Sequence, residues 1–159
     1  MKKYLLPAVA AAVVVLALAV VLIVPGQAGK KESTGEDEGK LLISASELSD
    51  TEMSVIKLAD SKAELIAIKG ADGSAKVALG TCQSCNGSPG AYYTQNGDNL
   101  QCNNCGLTFP LSIIGENGAG CHPIMLTNDV LTYTDDGAVV DIASLKAGYG
   151  RLFLNVAEH

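Results

Sequence analysis

The sequence contains no tryptophan and only two histidines, and its aromatic content is 4%. It offers no series of aromatic side chains on which nucleic-acid bases could stack. Basic residues are scarce as well, with 11 Lys and Arg against 17 Asp and Glu. Lys2 and Lys3 precede Gly29, whereas every acidic residue follows it, so the body of the chain is more acidic than the formal charge of −6 suggests. An acidic body lacks the basic footprint that phosphate backbones demand, and a nucleic-acid partner is excluded. There is no Gly-rich phosphate loop, no Ser-His-Asp arrangement and no carboxylate pair set against a recognisable cleft. A hydrolase is therefore not expected, and an electron carrier or binding protein fits better than an enzyme. Cysteine is absent outside the stretch from Cys82 to Cys121, which holds all five. An odd, clustered set does not read as a generic disulfide framework.

Charge is missing entirely from Leu5 to Val24. Twenty apolar residues suffice to cross a bilayer as a helix, and secretory h-regions are usually shorter. Residues 1–28 are thus expected to form an N-terminal transmembrane helix. Gly26-Gln27-Ala28 offers a weaker alternative, a cleavage site for a signal segment. A short tail with two lysines starts on the cytoplasmic side. The expectation is a single-pass protein of the cell membrane with its domain on the extracytoplasmic side. Residues 29–40, GKKESTGEDEGK, read as an acidic flexible linker. Residues 41–159 remain for one domain, a Cys-rich metal-binding β domain with a single modest core.

Within that domain the signals are those of short strands. Leu41–Ala45, Val55–Ala59, Ala63–Lys69 and Ala75–Leu79 are β-compatible, and Gly70–Ser74 predicts a hairpin between the last two. Asn96-Gly97-Asp98 predicts a second hairpin joining Ala91–Thr94 to Leu100–Cys102. Asp135-Asp136-Gly137 predicts a third, joining Val130–Thr134 to Ala138–Ile142. Ala143–Val156 is read as a short strand or helix. The fold class is mainly β, a small antiparallel domain.

The cysteines carry the chemistry. Cys82-Gln83-Ser84-Cys85 and Cys102-Asn103-Asn104-Cys105-Gly106 are two Cys-x-x-Cys knuckles with sixteen residues between them. Two intervening residues let one tight turn aim both sulfurs at a point, and Gly106 supplies the positive φ that such a turn often needs. The hairpin at Asn96-Gly97 brings the knuckles face to face. Four converging thiolates suit one tetrahedral zinc or iron, or an iron–sulfur cluster. Two disulfides are the competing reading in an oxidising compartment.

Cys121, in Gly120-Cys121-His122-Pro123, is one thiol more than a tetrahedral site uses. It is a candidate alternative ligand, a hydrogen-bonding neighbour, a disulfide partner for a displaced ligand, or a buried small hydrophobe. His122 is a weaker candidate ligand, without a second internal histidine to support it. Met53 and Met125 are soft donors in principle but are expected to be core filler. Tyr92, Tyr93, Phe109 and Tyr133 are expected to pack around the metal site.

The stretches KGADGSAKVALGTCQSC and GDNLQCNNCGLTFPLSIIGENGAGCHP resemble the FtrD-like membrane iron–sulfur family. The pattern is a Cys-x-x-Cys, a second Cys-x-x-Cys-Gly followed by an aromatic residue and Pro, and a Gly-Cys-x-Pro. Here those positions are Cys82, Cys85, Cys102, Cys105, Gly106, Phe109, Pro110, Gly120, Cys121 and Pro123. The resemblance spans Leu41–Phe153. It implies electron transfer serving ferrous-iron uptake, with partners among membrane or iron-transport redox proteins.

A looser resemblance is to Rieske domains. They share the order of strand pair, ligand loop, hairpin, second ligand loop, Gly- and Pro-containing loop, and final hairpin. Cys85 and Cys105 stand where Rieske sites have His, so a Rieske centre is excluded and a Rieske-like scaffold with all-thiolate ligands is expected. All-Cys [2Fe–2S] clusters lie near roughly −400 mV, against about −150 to +300 mV for His-ligated ones. The leading expectation is an iron–sulfur or mononuclear-iron electron carrier, and the alternative is a zinc-stapled structural or partner-binding module. A thiol–disulfide protein ranks third, because reactive Cys-x-x-Cys motifs usually sit at helix N-termini.

Overall fold

A computed structural model describes residues 36–37 and 39–159 of the chain. The expected membrane span and most of the expected linker lie outside the described residues. Among those described, no helix is long and apolar enough to cross a membrane.

The domain is mainly antiparallel β, arranged as three sheets. The first contains β1 (Glu36–Asp37), β2 (Lys40–Ser44), β9 (Leu131–Thr134) and β10 (Gly137–Asp141), in the order β1-β2-β10-β9. The second contains β3 (Ser54–Lys57), β4 (Glu64–Lys69) and β5 (Ala75–Leu79). The third contains β6 (Tyr93–Asn96), β7 (Asn99–Cys102) and β8 (Thr108–Pro110). The three expected hairpins form as β4–β5, β6–β7 and β9–β10. The segment after β10 is helical: α1 spans Ile142–Tyr149 and a 3-10 turn continues over Gly150–Phe153. Asp141, the last residue of β10, caps α1 by accepting the Ser144 N–H at 2.8 Å.

The burial pattern explains why the middle sheet is apolar on both faces. β2 alternates, with Leu41 and Ile43 buried and Leu42 exposed, as a strand with one covered face should. In β4, by contrast, Leu65, Ile66, Ala67 and Ile68 are all buried. Leu65 and Ala67 join a large core with Ile43, Val140, Leu145 and Phe153. Ile66 and Ile68 point the other way, into a smaller core with Tyr93, Leu100, Ile114, Cys82 and Cys102. The single core expected from chain length is therefore two, divided by β4 and β5. The smaller one is the floor of the cysteine site.

Tyr133 does not pack around the cysteines. It lies on β9, in the first sheet, which carries no cysteine, and is 49% exposed. β9 is an edge strand on which only Leu131 is buried, so its tyrosine faces outward.

Candidate metal centre

Three loops converge over the smaller core. The first follows β5 and carries Cys82 and Cys85. Its entry is fixed by hydrogen bonds from Cys82 N–H and from the Thr81 hydroxyl, both to the Ala91 carbonyl, at 3.3 and 2.6 Å. The second loop joins β7 to β8 and carries Cys102 and Cys105. The third carries Cys121 and is tied to the first: Gln83 N–H donates to the His122 carbonyl at 2.9 Å, and Cys82 forms a β-bridge with Pro123. The first and second loops touch at Gly90, where an added Cβ would stand 3.1 Å from the Asn104 backbone. A side chain there would push the two knuckles apart.

Each knuckle turns its peptide groups toward sulfur. The Cys85 N–H donates to the Cys82 sulfur. The Asn104 and Cys105 N–H groups donate to Cys102, and the Leu107 N–H donates to Cys105. The second turn closes through Gly106, at φ +74°, whose N–H reaches the Cys102 carbonyl at 2.8 Å. A tight turn of this kind exposes successive N–H groups on one side, a concavity suited to negative charge.

The sulfurs fall into two overlapping groups. Those of Cys82, Cys85 and Cys102 lie within 4.8 Å of one another, as do those of Cys85, Cys105 and Cys121. Cys105 is 3.3 Å and Cys85 is 3.9 Å from Cys121. Four thiolates around one zinc stand about 3.8 Å apart, whereas the four knuckle sulfurs do not form one group at 4.8 Å, because Cys105 groups with Cys85 and Cys121. Burial grades the set: Cys82 and Cys102 are buried, Cys85 and Cys121 half-buried, and Cys105 exposed. The donor set is thus all-sulfur, soft, and preceded by aimed N–H groups, which fits an iron–sulfur cluster, iron or zinc.

The thiols differ in acidity. Burial works against ionisation of Cys82, but the Cys85 N–H, the Tyr93 hydroxyl and the neighbouring thiols outweigh it and lower its pKa. Burial pushes Cys102 up to about 12. The Leu107 N–H, helped by the Cys121 thiol, brings Cys105 down to about 7. Its hydrogen bond with Cys105 and its partial burial raise Cys121 instead, so the proton of that pair stays on Cys121. In the reduced, metal-free chain Cys105 is expected to react first with iodoacetamide, at a rate that climbs as pH rises through about 7. Cys102 should label slowest, even at pH 8. Peptide mass spectrometry after timed quenching reads the order; equal labelling of both would contradict it.

Several site features were not legible in the sequence. Tyr93, expected only to pack, donates its hydroxyl to the Cys121 carbonyl at 2.6 Å and lies within hydrogen-bonding reach of the Cys82 sulfur. Burial raises its pKa, so it stays a donor. Its place opposite Cys102 in the β6–β7 ladder is what aims it. Tyr92 turns to the other side and stacks on His159, with centroids 3.8 Å apart. His159 also pairs with the buried Glu64 at 3.3 Å. Ala157 N–H bonds the Pro89 carbonyl and Asn155 the Gly87 carbonyl, so the last residues strap the first ligand loop.

His122 belongs to neither sulfur group. Its Nδ1 is buried without a hydrogen-bond partner, and its ring leans on Phe109 at 5.4 Å. Met53 packs against the smaller core.

A family model described as membrane iron-sulfur containing protein FtrD-like matches residues 40–152, well over half of the chain. No curated protein and no solved structure matches it significantly.

Proposed function

The chain belongs to the FtrD-like family of membrane iron–sulfur containing proteins, and from that premise we propose that it is a membrane-anchored electron carrier working outside the cytoplasm in support of iron uptake. The observation that carries this reading is the graded burial of the sulfurs. A two-iron cluster would be held by Cys82 and Cys102 on its buried side and by Cys85 and Cys105 on its open side, with Cys121 beside the open pair. Bound there, a [2Fe–2S] cluster supplies one-electron carriage at a low potential, roughly −400 mV for all-thiolate ligation.

The chain's own residues do the rest. Leu100, Ile114 and Tyr93, all buried, keep water from the inner sulfurs. The N–H groups of Cys85, Asn104, Cys105 and Leu107 partly offset thiolate charge and so favour the reduced state. Cys105 leaves one exposed edge through which a partner can be reached. The order of elements supports a Rieske-like scaffold: a strand pair, a ligand loop, the β6–β7 hairpin, a second ligand loop, and the β9–β10 hairpin. The single apolar run Leu5–Val24 would tether the domain near its membrane partner.

The full chain, purified anaerobically in detergent, should contain iron and acid-labile sulfide in equal amounts and show visible charge-transfer bands. About one zinc per chain, no sulfide and a colourless protein would leave a zinc-stapled binding module in its place.

A further inference from the structure

Four of the five thiols sit in the two knuckles, so one sulfur, that of Cys121, is left over. It lies 3.3 Å from the sulfur of Cys105 and 3.9 Å from that of Cys85. Cys105 and Cys121 are sixteen residues apart, on separate loops, and both are free thiols. A disulfide needs its sulfurs at about 2.0 Å, so the nearer pair has little distance to close. The backbone beside it has room to move. Gly106 follows Cys105 and Gly120 precedes Cys121, both at positive φ, and nothing lies within 4 Å of where a Cβ would stand on either. Farther out the third loop is anchored. The Tyr93 hydroxyl holds the Cys121 carbonyl at 2.6 Å, and the Gln83 N–H holds the His122 carbonyl at 2.9 Å. Cys121 is thus kept within reach of Cys105.

Exposure singles out the same pair. Cys105 is exposed and Cys121 half-buried, whereas Cys82 and Cys102 are buried. A small oxidant arriving from solvent meets Cys105 first. Cys102, the knuckle partner of Cys105, is less free to respond, because its buried sulfur accepts two backbone N–H groups.

We propose that Cys105 is a site of reversible oxidation by hydrogen peroxide and that Cys121 resolves it, forming a Cys105–Cys121 disulfide that closes the site to metal. The closure rests on the reading above that the knuckle thiols are the metal ligands; the oxidation needs only the two thiols. Peroxide oxidises the Cys105 thiol to the sulfenic acid and releases one water. The Cys121 sulfur then displaces the sulfenic hydroxyl, which leaves with the Cys121 proton as a second water. The two thiols give up two electrons and two protons, the O–O bond breaks and one S–S bond forms. A dithiol reductant reverses the change. Oxidation removes one outer ligand and leaves Cys82, Cys85 and Cys102, a group of three sulfurs within 4.8 Å, one short of a tetrahedral set. Bonded to Cys121, Cys105 is also kept from the sulfinic and sulfonic acids, which thiols do not reverse.

The test uses the full chain in detergent, stripped of metal under reducing conditions and then freed of reductant. After a timed pulse of hydrogen peroxide, free thiols are capped with N-ethylmaleimide. The unreduced chain is cut before Asp98 and after Glu116, the only acidic residues between Cys82 and Cys121. Cys82 with Cys85, Cys102 with Cys105, and Cys121 then fall on three peptides. Mass spectrometry should find the last two joined, with fragment ions placing the link on Cys105. The oxidised chain should lose the cobalt(II)–thiolate absorption that the reduced chain gives, and dithiothreitol should restore it. In Cys121→Ser the same pulse should carry Cys105 to the sulfinic acid, and dithiothreitol should no longer restore cobalt(II) binding.

A Cys102–Cys105 or Cys82–Cys85 link as the main product overturns the proposal, as does a Cys85–Cys121 link. Equal recovery of the wild type and Cys121→Ser also overturns it. A reduced chain that binds no cobalt(II) overturns the metal reading and the closure with it, while the peptide map still decides the oxidation site.

Discussion

Replacing Cys102 by Ser is expected to strip the centre of its metal, while replacing Cys121 by Ser leaves the content unchanged. Cys102 is buried at the end of β7, and its sulfur collects two backbone N–H groups. No other thiol can take its place from that strand. Serine oxygen is a harder donor than thiolate and stops short of the same point, so a soft metal loses both bond and geometry. The loss should exceed the roughly 10–100-fold in affinity that changes outside the ligand set cause. Cys121 sits only 3.3 Å from Cys105 on a separate loop, and the two knuckles already supply four thiolates. Iron, sulfide and zinc analysis of both variants decides the matter. If Cys121→Ser loses the metal and Cys105→Ser keeps it, the outer ligand is Cys121 and the assignment of the open pair changes.

Leu100→Ala should have the next largest effect, about 2–5 kcal/mol of destabilisation. Leu100 is completely buried between β6 and β8, in the smaller core that holds Cys82, Cys102, Tyr93 and Ile114. That core is small, so little neighbouring material can collapse into the cavity. Because it is also the floor of the cysteine site, the variant should release metal to a chelator faster than the wild type. Denaturant unfolding of the metal-loaded chain, followed together with chelator kinetics, measures both. An unchanged midpoint would mean that the third sheet is held chiefly by the metal and not by its own packing.

Much of this was legible in the residues. The three hairpins followed from Gly-, Asn- and Asp-rich turns between short β-compatible runs, because those residues satisfy turn backbones locally. The second knuckle was legible for the same reason: Gly106 after Cys105 predicts the positive φ that closes it. The helix at Ile142–Tyr149 was ambiguous. It is only 8 residues long, too short for a helical period to stand out, and its cap, Asp141, doubles as a strand residue. Tyr133 misled because an aromatic in a hairpin carries no mark of which sheet its strand will join. Glu64 gave no signal either, since its burial against His159 joins residues at opposite ends of the domain.

The sequence by itself determined that this chain carries two Cys-x-x-Cys knuckles set beside antiparallel hairpins. Knuckle spacing and turn chemistry act over a few residues, and short range is what a linear pattern can encode. Tertiary structure alone decided which thiols are inner and which outer, that Cys121 stands against Cys105, and that Tyr93 reaches the Cys121 carbonyl while Tyr92 turns away. Each of these depends on which faces of β4, β5 and β7 other elements cover. Burial and long-range hydrogen bonds exist only once those faces are packed.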